Sequence, residues 1–458
     1  MDNNQDVQTV RLSEKWDCLI DNKGNRIKFD DPRVTHIWVV DTSPYTSVLI
    51  ASCFKKRGWN YRISAETTAE TLQLSRQLGS GRECLPSAAI AGATLKDILQ
   101  NRRPDEISVY YNLDQDGPCQ NGAWTVLWEA YKKRIDLSNV AFLAWPNIKT
   151  NYMGQGEKYA IELGTAAVLG DLLDEAELVL KCVASDKKQA METMEIEAKR
   201  VLDSHAKGFI AIEKALKRWA FVMAMVPLKQ KVEETAKVLL FGGLNLLFVH
   251  YPITDYFVEQ GVIPKLVDFS EGLVWLESEE ASKYGFERGL IQPKDQFNVK
   301  SLLLSGLNPK NNKKKWIKAL KSRAHVFGID LFLNRYRKIM EKSGLLFDKH
   351  IPFVELAEEG SKFVSHNGFL ETPITTGRYL NSVKYGIFDG LVNVGSFNCQ
   401  PAMNSQAVLR PLANTSDIPY TALDCEGPWI SANQKRLLET IAVGAKRLRE
   451  EKNQSLRC

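Results

Sequence analysis

None of the eight cysteines forms a CxxC pair, which removes zinc ribbons and ferredoxin-type ligand runs from consideration. No HxxxH or HExxH pattern occurs either; His36, His205, His250, His325, His350 and His366 are scattered along the chain. A GxxxxGK[ST] phosphate loop is missing, and so is the acidic, glycine-rich phosphate loop of the actin and hexokinase type. Long apolar runs are lacking. The longest, about 238–249, is interrupted by Gly242, Gly243 and Asn245, whereas roughly 20 apolar residues are needed to span a bilayer. The opening residues, MDNNQDVQTVRLSEK, are polar and of mixed charge, without the apolar core of a secretory signal. Together these absences lead us to expect a cytoplasmic protein with no membrane partner. Eight cysteines in 458 residues are also too sparse for a secreted disulfide scaffold.

What is present is ordinary for a globular protein: 44% apolar residues, 25% charged, and a net charge of +5. The length exceeds one ordinary core and predicts two or three domains. One basic run, Lys310 to Lys318 (KNNKKKWIK), reads as a solvated loop leading into a helix start. No nucleic-acid motif accompanies it, so no nucleic-acid partner is expected.

From Val34 onward the pattern alternates. VTHIWVVDT (34–42) is a β-branched run, followed by a helical SVLIASCFKKRGW (47–59), a short strand at NYRISA, and a helix from Glu70 to Leu78. Gly79 and Gly81 break that helix just before Cys84. A helix near Ala88 to Gln100, a strand EISVYYNL (106–113), a helix from Asn121 to Arg134 and a strand VAFLAWP (140–146) complete the first unit. Strands separated by helices of this length predict a parallel sheet covered on both faces. Residues 156–237 read as helix. A second strand–turn–helix–strand pattern runs through 237–269, and helix returns over about Lys314 to Lys342. GIFDGLVNVGSFNCQPAM (386–403) and IPYTALDCEG (418–427) each read as a strand entering a cysteine-bearing turn, and a final helix covers about Asn433 to Glu451. The expected fold is α/β, with two open, mostly parallel sheets flanked by helices. The divisions are an N-terminal α/β domain (1–155), a helical connector or lid (156–236), and a C-terminal α/β domain (237–458) with an inserted helical segment at about 310–345. No internal repeat stands out.

Three cysteines share a local context. Cys84 lies in GSGRECLP, Cys119 in DGPCQNG after the strand EISVYYNL, and Cys399 in SFNCQP after the strand GLVNVG. All three sit at Gly- or Pro-marked turns next to helix starts, and open α/β sheets bind ligands outside the carboxyl ends of their strands. A helix N-terminus lowers a thiol's pKa and so favours the thiolate that metals require. Their wide spacing obeys no ligand rule, so the residues alone leave two readings: three buried thiols, or one metal site. Cys425, in LDCEG, is the topological candidate for a fourth ligand. Cys18, Cys53, Cys182 and Cys458 read as structural or incidental.

GRECLP, GPCQNG and FNCQP, in this order, resemble the three cysteine motifs of the 2-hydroxyacyl-CoA dehydratase and benzoyl-CoA reductase superfamily. The likeness is to the cysteine-motif region of the CoA-substrate-specific enzyme activases, whose pattern is G-K/R-E-C-x-P, G-P-C-R, F-x-C-x-P. It extends from about Val34 to Arg449. Gln120 stands where that branch often has Arg, and the nucleotide-binding half of the activases has no counterpart here. The resemblance implies that Cys84, Cys119 and Cys399 ligate a [4Fe–4S] cluster at a junction between domains. It implies low-potential electron transfer or reductive chemistry, a separate ATPase activator or redox partner, an acyl-CoA substrate, and a possible homodimer. The alternative is a non-catalytic, cluster-bearing subunit or scaffold of a larger complex, and a third reading is a metal-free α/β enzyme with a small molecule at the strand ends. The sequence assigns no catalytic residue.

Overall fold

The computed structural model describes residues 10–112, 119–144, 147–148, 150–242, 250–307, 312–367 and 370–455. It divides into two compact units, Met1–Leu163 and Gly164–Cys458.

The first unit opens with three two-residue antiparallel strands, β1 (Arg11–Leu12), β2 (Leu19–Ile20) and β3 (Arg26–Ile27). The main sheet follows. β4 (Val34–Trp38) buries all five of its side chains, as a strand covered on both faces must. α1 (Pro44–Lys55) starts at Pro44, with Ser43 capping it by accepting the Thr46 amide. β5 (Asn60–Ile63), α2 (Ala69–Leu78), α3 (Leu85–Gln100), β6 (Ile107–Asn112), α4 (Asn121–Arg134) and β7 (Val140–Ala144) complete the unit's alternation. The four strands are parallel, in the order β5-β4-β6-β7. α2 and α3 lie close because Gly92 permits it: a Cβ there would stand 1.9 Å from the Thr71 carbonyl oxygen.

In the second unit, α5 (Glu157–Val183, in this unit from Gly164), α6 (Lys187–His205) and α7 (Phe209–Met223) precede the sheet. Then come β8 (Lys237–Phe241), α8 (His250–Glu259), β9 (Ile263–Leu266), α9 (Phe269–Glu287), α10 (Pro293–Gln296), α11 (Val299–Gly306) and α12 (Lys313–Met340). α13 (Phe353–Ser361), α14 (Thr372–Tyr385), β10 (Gly390–Ser396), α15 (Gln400–Ala413), β11 (Tyr420–Cys425) and α16 (Ala432–Ser455) follow. These four strands are also parallel, in the order β11-β10-β8-β9. A core of Leu239, Phe241, Tyr379, Phe388, Leu391 and Leu409 packs one face of this sheet against α14 and α15.

The two sheets share one winding order. In each, the first strand stands between the second and the third, and the fourth lies outside the third. The likeness continues into the helices. The pair that precedes the third strand is α2 and α3 in one sheet, α13 and α14 in the other. α13 and α14 also approach through glycine, since a Cβ on Gly377 would stand 1.9 Å from the Leu356 carbonyl oxygen. This duplication is absent from the residue pattern, which shows no repeat. Both sheets reverse their winding between first and third strands, at β4/β6 and at β8/β10, the position where open α/β sheets generally bind ligands outside the carboxyl ends. Among the described residues, no helix is long and apolar enough to cross a membrane.

Candidate functional site

Cys84 is the N-cap residue of α3, with Pro86 in the first turn, and its sulfur does not cap the helix. Only 4% of the residue is exposed. The turn before it is pinned by Glu83, whose carboxylate accepts the amides of Ser80 at 2.7 Å and Gly81 at 2.9 Å. Gly81 takes a φ of +77°, a conformation that glycine adopts without steric cost. The Cys84 amide donates to Oε1 of Gln120 at 2.7 Å. Gln120 is the N-cap residue of α4, and Cys119, half-buried, immediately precedes it. One side chain therefore ties the two cysteine-bearing helix starts of the first unit together. The Asp116-Gly117-Pro118 part of the turn read from sequence lies outside the described residues.

Cys399 repeats the geometry of Cys84. It is the N-cap residue of α15, has Pro401 in the first turn, and leaves its helix uncapped by sulfur. Its amide donates to the Ser396 carbonyl at 3.0 Å, closing the turn that leaves β10. Asn398, just before it, takes a left-handed φ of +56°, which Asn tolerates better than most residues. By winding order Cys399 matches Cys119: each follows the third strand of its sheet at the start of the next helix. The place that Cys84 holds before α3 is held before α14 by Glu371. The Oε2 atom of Glu371 is buried without a hydrogen-bond partner among the described residues.

Cys53, Cys182 and Cys425 are buried, as Cys84 and Cys399 are. Burial pushes the thiols of Cys53 and Cys425 up to about 12 and that of Cys182 up to about 11, so they stay protonated near neutrality. Cys425 ends β11 in register with Ser396, and its carbonyl accepts the Phe397 amide at 2.8 Å. Cys18 is buried, and Cys458 lies outside the described residues.

All three motif cysteines stand at helix starts, the donor type an iron–sulfur cluster would use; Cys119 and Cys399 follow the third strand of their sheets, whereas Cys84 follows α2. Cys84 and Cys119 belong to the first unit and Cys399 to the second. Among the described residues, no three His, Cys, Asp or Glu side chains form a group able to hold a metal ion.

Sequence reasoning missed Gln120 as a tie, Glu371 as the counterpart of Cys84, and a buried ionic cluster around Arg378 described below. Only Gln120 had a signal, as a departure from the Arg of the resembling motif. Asp41 was also passed over. It follows β4, and burial pushes its carboxyl up to about 7. No protein-family model and no curated protein matches the chain.

Proposed function

We propose that Cys84, Cys119 and Cys399 supply the thiolates of a [4Fe–4S] cluster and that this cytoplasmic protein works in low-potential electron transfer or reductive chemistry. The setting is that of the 2-hydroxyacyl-CoA dehydratase and benzoyl-CoA reductase superfamily, with a separate ATPase or redox partner delivering electrons and an acyl-CoA thioester as the substrate class. The observation that carries this reading is the hydrogen bond from Cys84 to Gln120, which joins two of the three motif cysteines through the residue next to Cys119.

When bound, the cluster supplies one-electron chemistry at a potential tuned by hydrogen bonds to its sulfurs and by burial. The chain's own contribution is to hold three thiols at helix starts. The positive ends of α3, α4 and α15 lie at Cys84, Cys119 and Cys399, and each dipole favours the charged form of its neighbour. Burial of Cys84 and Cys399 keeps water from the sulfurs. Because no phosphate-binding loop is present in the sequence, ATP-driven reduction is assigned to the partner.

Anaerobic reconstitution with iron and sulfide tests the reading. The expected product is brown, carries about four irons and four acid-labile sulfides per chain, and gives a cubane EPR signal on reduction. A colourless chain with under one iron contradicts it. Reduction by a chemical donor, followed by assay with and without candidate partner enzymes, then separates an enzyme from a cluster-bearing subunit.

A further inference from the structure

A small cavity of about 20 Å³ lies inside the second unit, walled by α9, α12, α13, α14 and the segment before α13. A single water needs roughly 10–15 Å³ on this measure, so the space takes one or two water-sized groups. Its polar lining is Asp268, Ser270, Glu271, Asp330, His350 and Arg378, with Lys349 beside them.

Most charges near it are already paired. Lys265 contacts Asp268 and stands 3.7 Å from Glu175, Arg337 binds Glu175 at 2.7 Å, and Arg378 binds Asp348. Three cations thus face three carboxylates. Besides Nε of Arg337, which does not line the cavity, two donors that do line it are left over. Nε of Arg378 and Oγ of Ser270 have no hydrogen-bond partner among the described residues, although Arg378 is 3% and Ser270 1% exposed. Unpaired buried donors are rare, and each asks for an acceptor. Asp171 accepts the amides of Phe269 and Ser270, at 2.7 and 2.9 Å, and its carboxylate lies near the Ser270 hydroxyl without a hydrogen bond of normal geometry.

We propose that this cavity binds one small monoanion, of halide or formate size, through Nε of Arg378 and Oγ of Ser270. The remaining lining groups allow it. Burial pushes Glu271 up to about 8 and Asp330 to about 7, and holds His350 down near 4. Below neutrality the two acids are therefore protonated and the imidazole is neutral. With the three ion pairs balanced, the ammonium of Lys349, which rests 3.5 Å from the Tyr385 ring centre, then adds local positive charge. A protonated Glu271 adds a further donor. The bound anion favours these protonated forms, so binding draws in protons and weakens as pH rises past 8, where Glu271 ionises beside Asp268 and Asp348. This site is independent of the cysteines.

The test uses the full-length chain, with sodium bromide and sodium formate titrated against sodium gluconate of equal ionic strength, at pH 6.5 and 8.5. Calorimetry and thermal unfolding report binding, and anomalous scattering from bromide locates it in crystals. The expected result is saturable binding of bromide and formate, stronger at pH 6.5, with bromide density at Arg378. Ser270→Ala should weaken binding about tenfold, the loss expected for one hydrogen bond to a charged group. Glu271→Gln should keep binding while flattening its pH dependence. Equal effects of gluconate, or unchanged affinity in Ser270→Ala, overturn the proposal. So does a site for potassium or ammonium that strengthens with rising pH, which identifies a cation displacing the acidic protons instead.

Discussion

The amide of Cys84 and the side-chain oxygen of Gln120 lie 2.7 Å apart, so a hydrogen bond ties the starts of α3 and α4. Gln120→Ala leaves that partly buried amide without its partner. The expected cost is about 1–2 kcal/mol in urea unfolding, with Gln120→Glu largely restoring stability because it keeps an acceptor at the same reach. In the metal-free chain, Gln120→Ala should also raise the alkylation rate of Cys84. Wild-type stability and alkylation in Gln120→Ala would show that the tie does nothing.

The glycine contacts between paired helices make a second prediction. Ala at Gly92 or Gly377 places a methyl under 2 Å from a backbone carbonyl of the neighbouring helix, which forces the helices apart. Each substitution should cost roughly 2 kcal/mol or more. Gly328 in α12 is the control: a Cβ there meets nothing within 4 Å, so Ala should stabilise by up to about 1 kcal/mol. Thermal unfolding of the three variants decides it, and equal melting temperatures for all three contradict the packing described.

Buried imidazoles govern the acid side of stability. His36 bonds the Tyr111 hydroxyl at 2.7 Å and the Phe29 carbonyl at 3.0 Å, and stacks 4.3 Å from the Trp59 ring. Burial lowers both His36 and His366 to about 4, from an ordinary 6.5. The unfolded chain takes up protons at these sites before the folded one does. Their contribution is therefore intact above pH 6.5 and is lost as pH falls from 6.5 through 4. Each is worth roughly 3 kcal/mol at the end of that window. NMR titration should find both imidazoles neutral at pH 5.5 in the folded protein; titration near 6.5 contradicts their burial.

The sheets were legible because their strands are apolar runs with helices between them. EISVYYNL contains β6, VAFLAWP contains β7, and Asn121–Arg134 matches α4 from end to end. β1, β2 and β3 were missed because two-residue strands have no periodicity to detect. The shared winding order was invisible for a different reason. It lies in which strands pair, and covered parallel strands require only apolar residues, so VTHIW and KVLLF serve equivalent positions with little in common. At the site, the turns of Cys84 and Cys399 could be read from Pro two residues on. The tie through Gln120 could not, because it joins residues 36 apart. The cavity at Arg378 was hidden altogether, since its lining comes from several helices and a loop.

The most direct test of the central claim is the iron content of anaerobically reconstituted cysteine variants, measured one residue at a time. About four irons per chain are expected in the wild type, with Cys18→Ala and Cys182→Ala unchanged. Cys84→Ala, Cys119→Ala and Cys399→Ala should each lose most of the iron and the EPR signal while still unfolding cooperatively. Full iron retention in all three of these variants would contradict the assignment and leave these cysteines as ordinary thiols at helix starts.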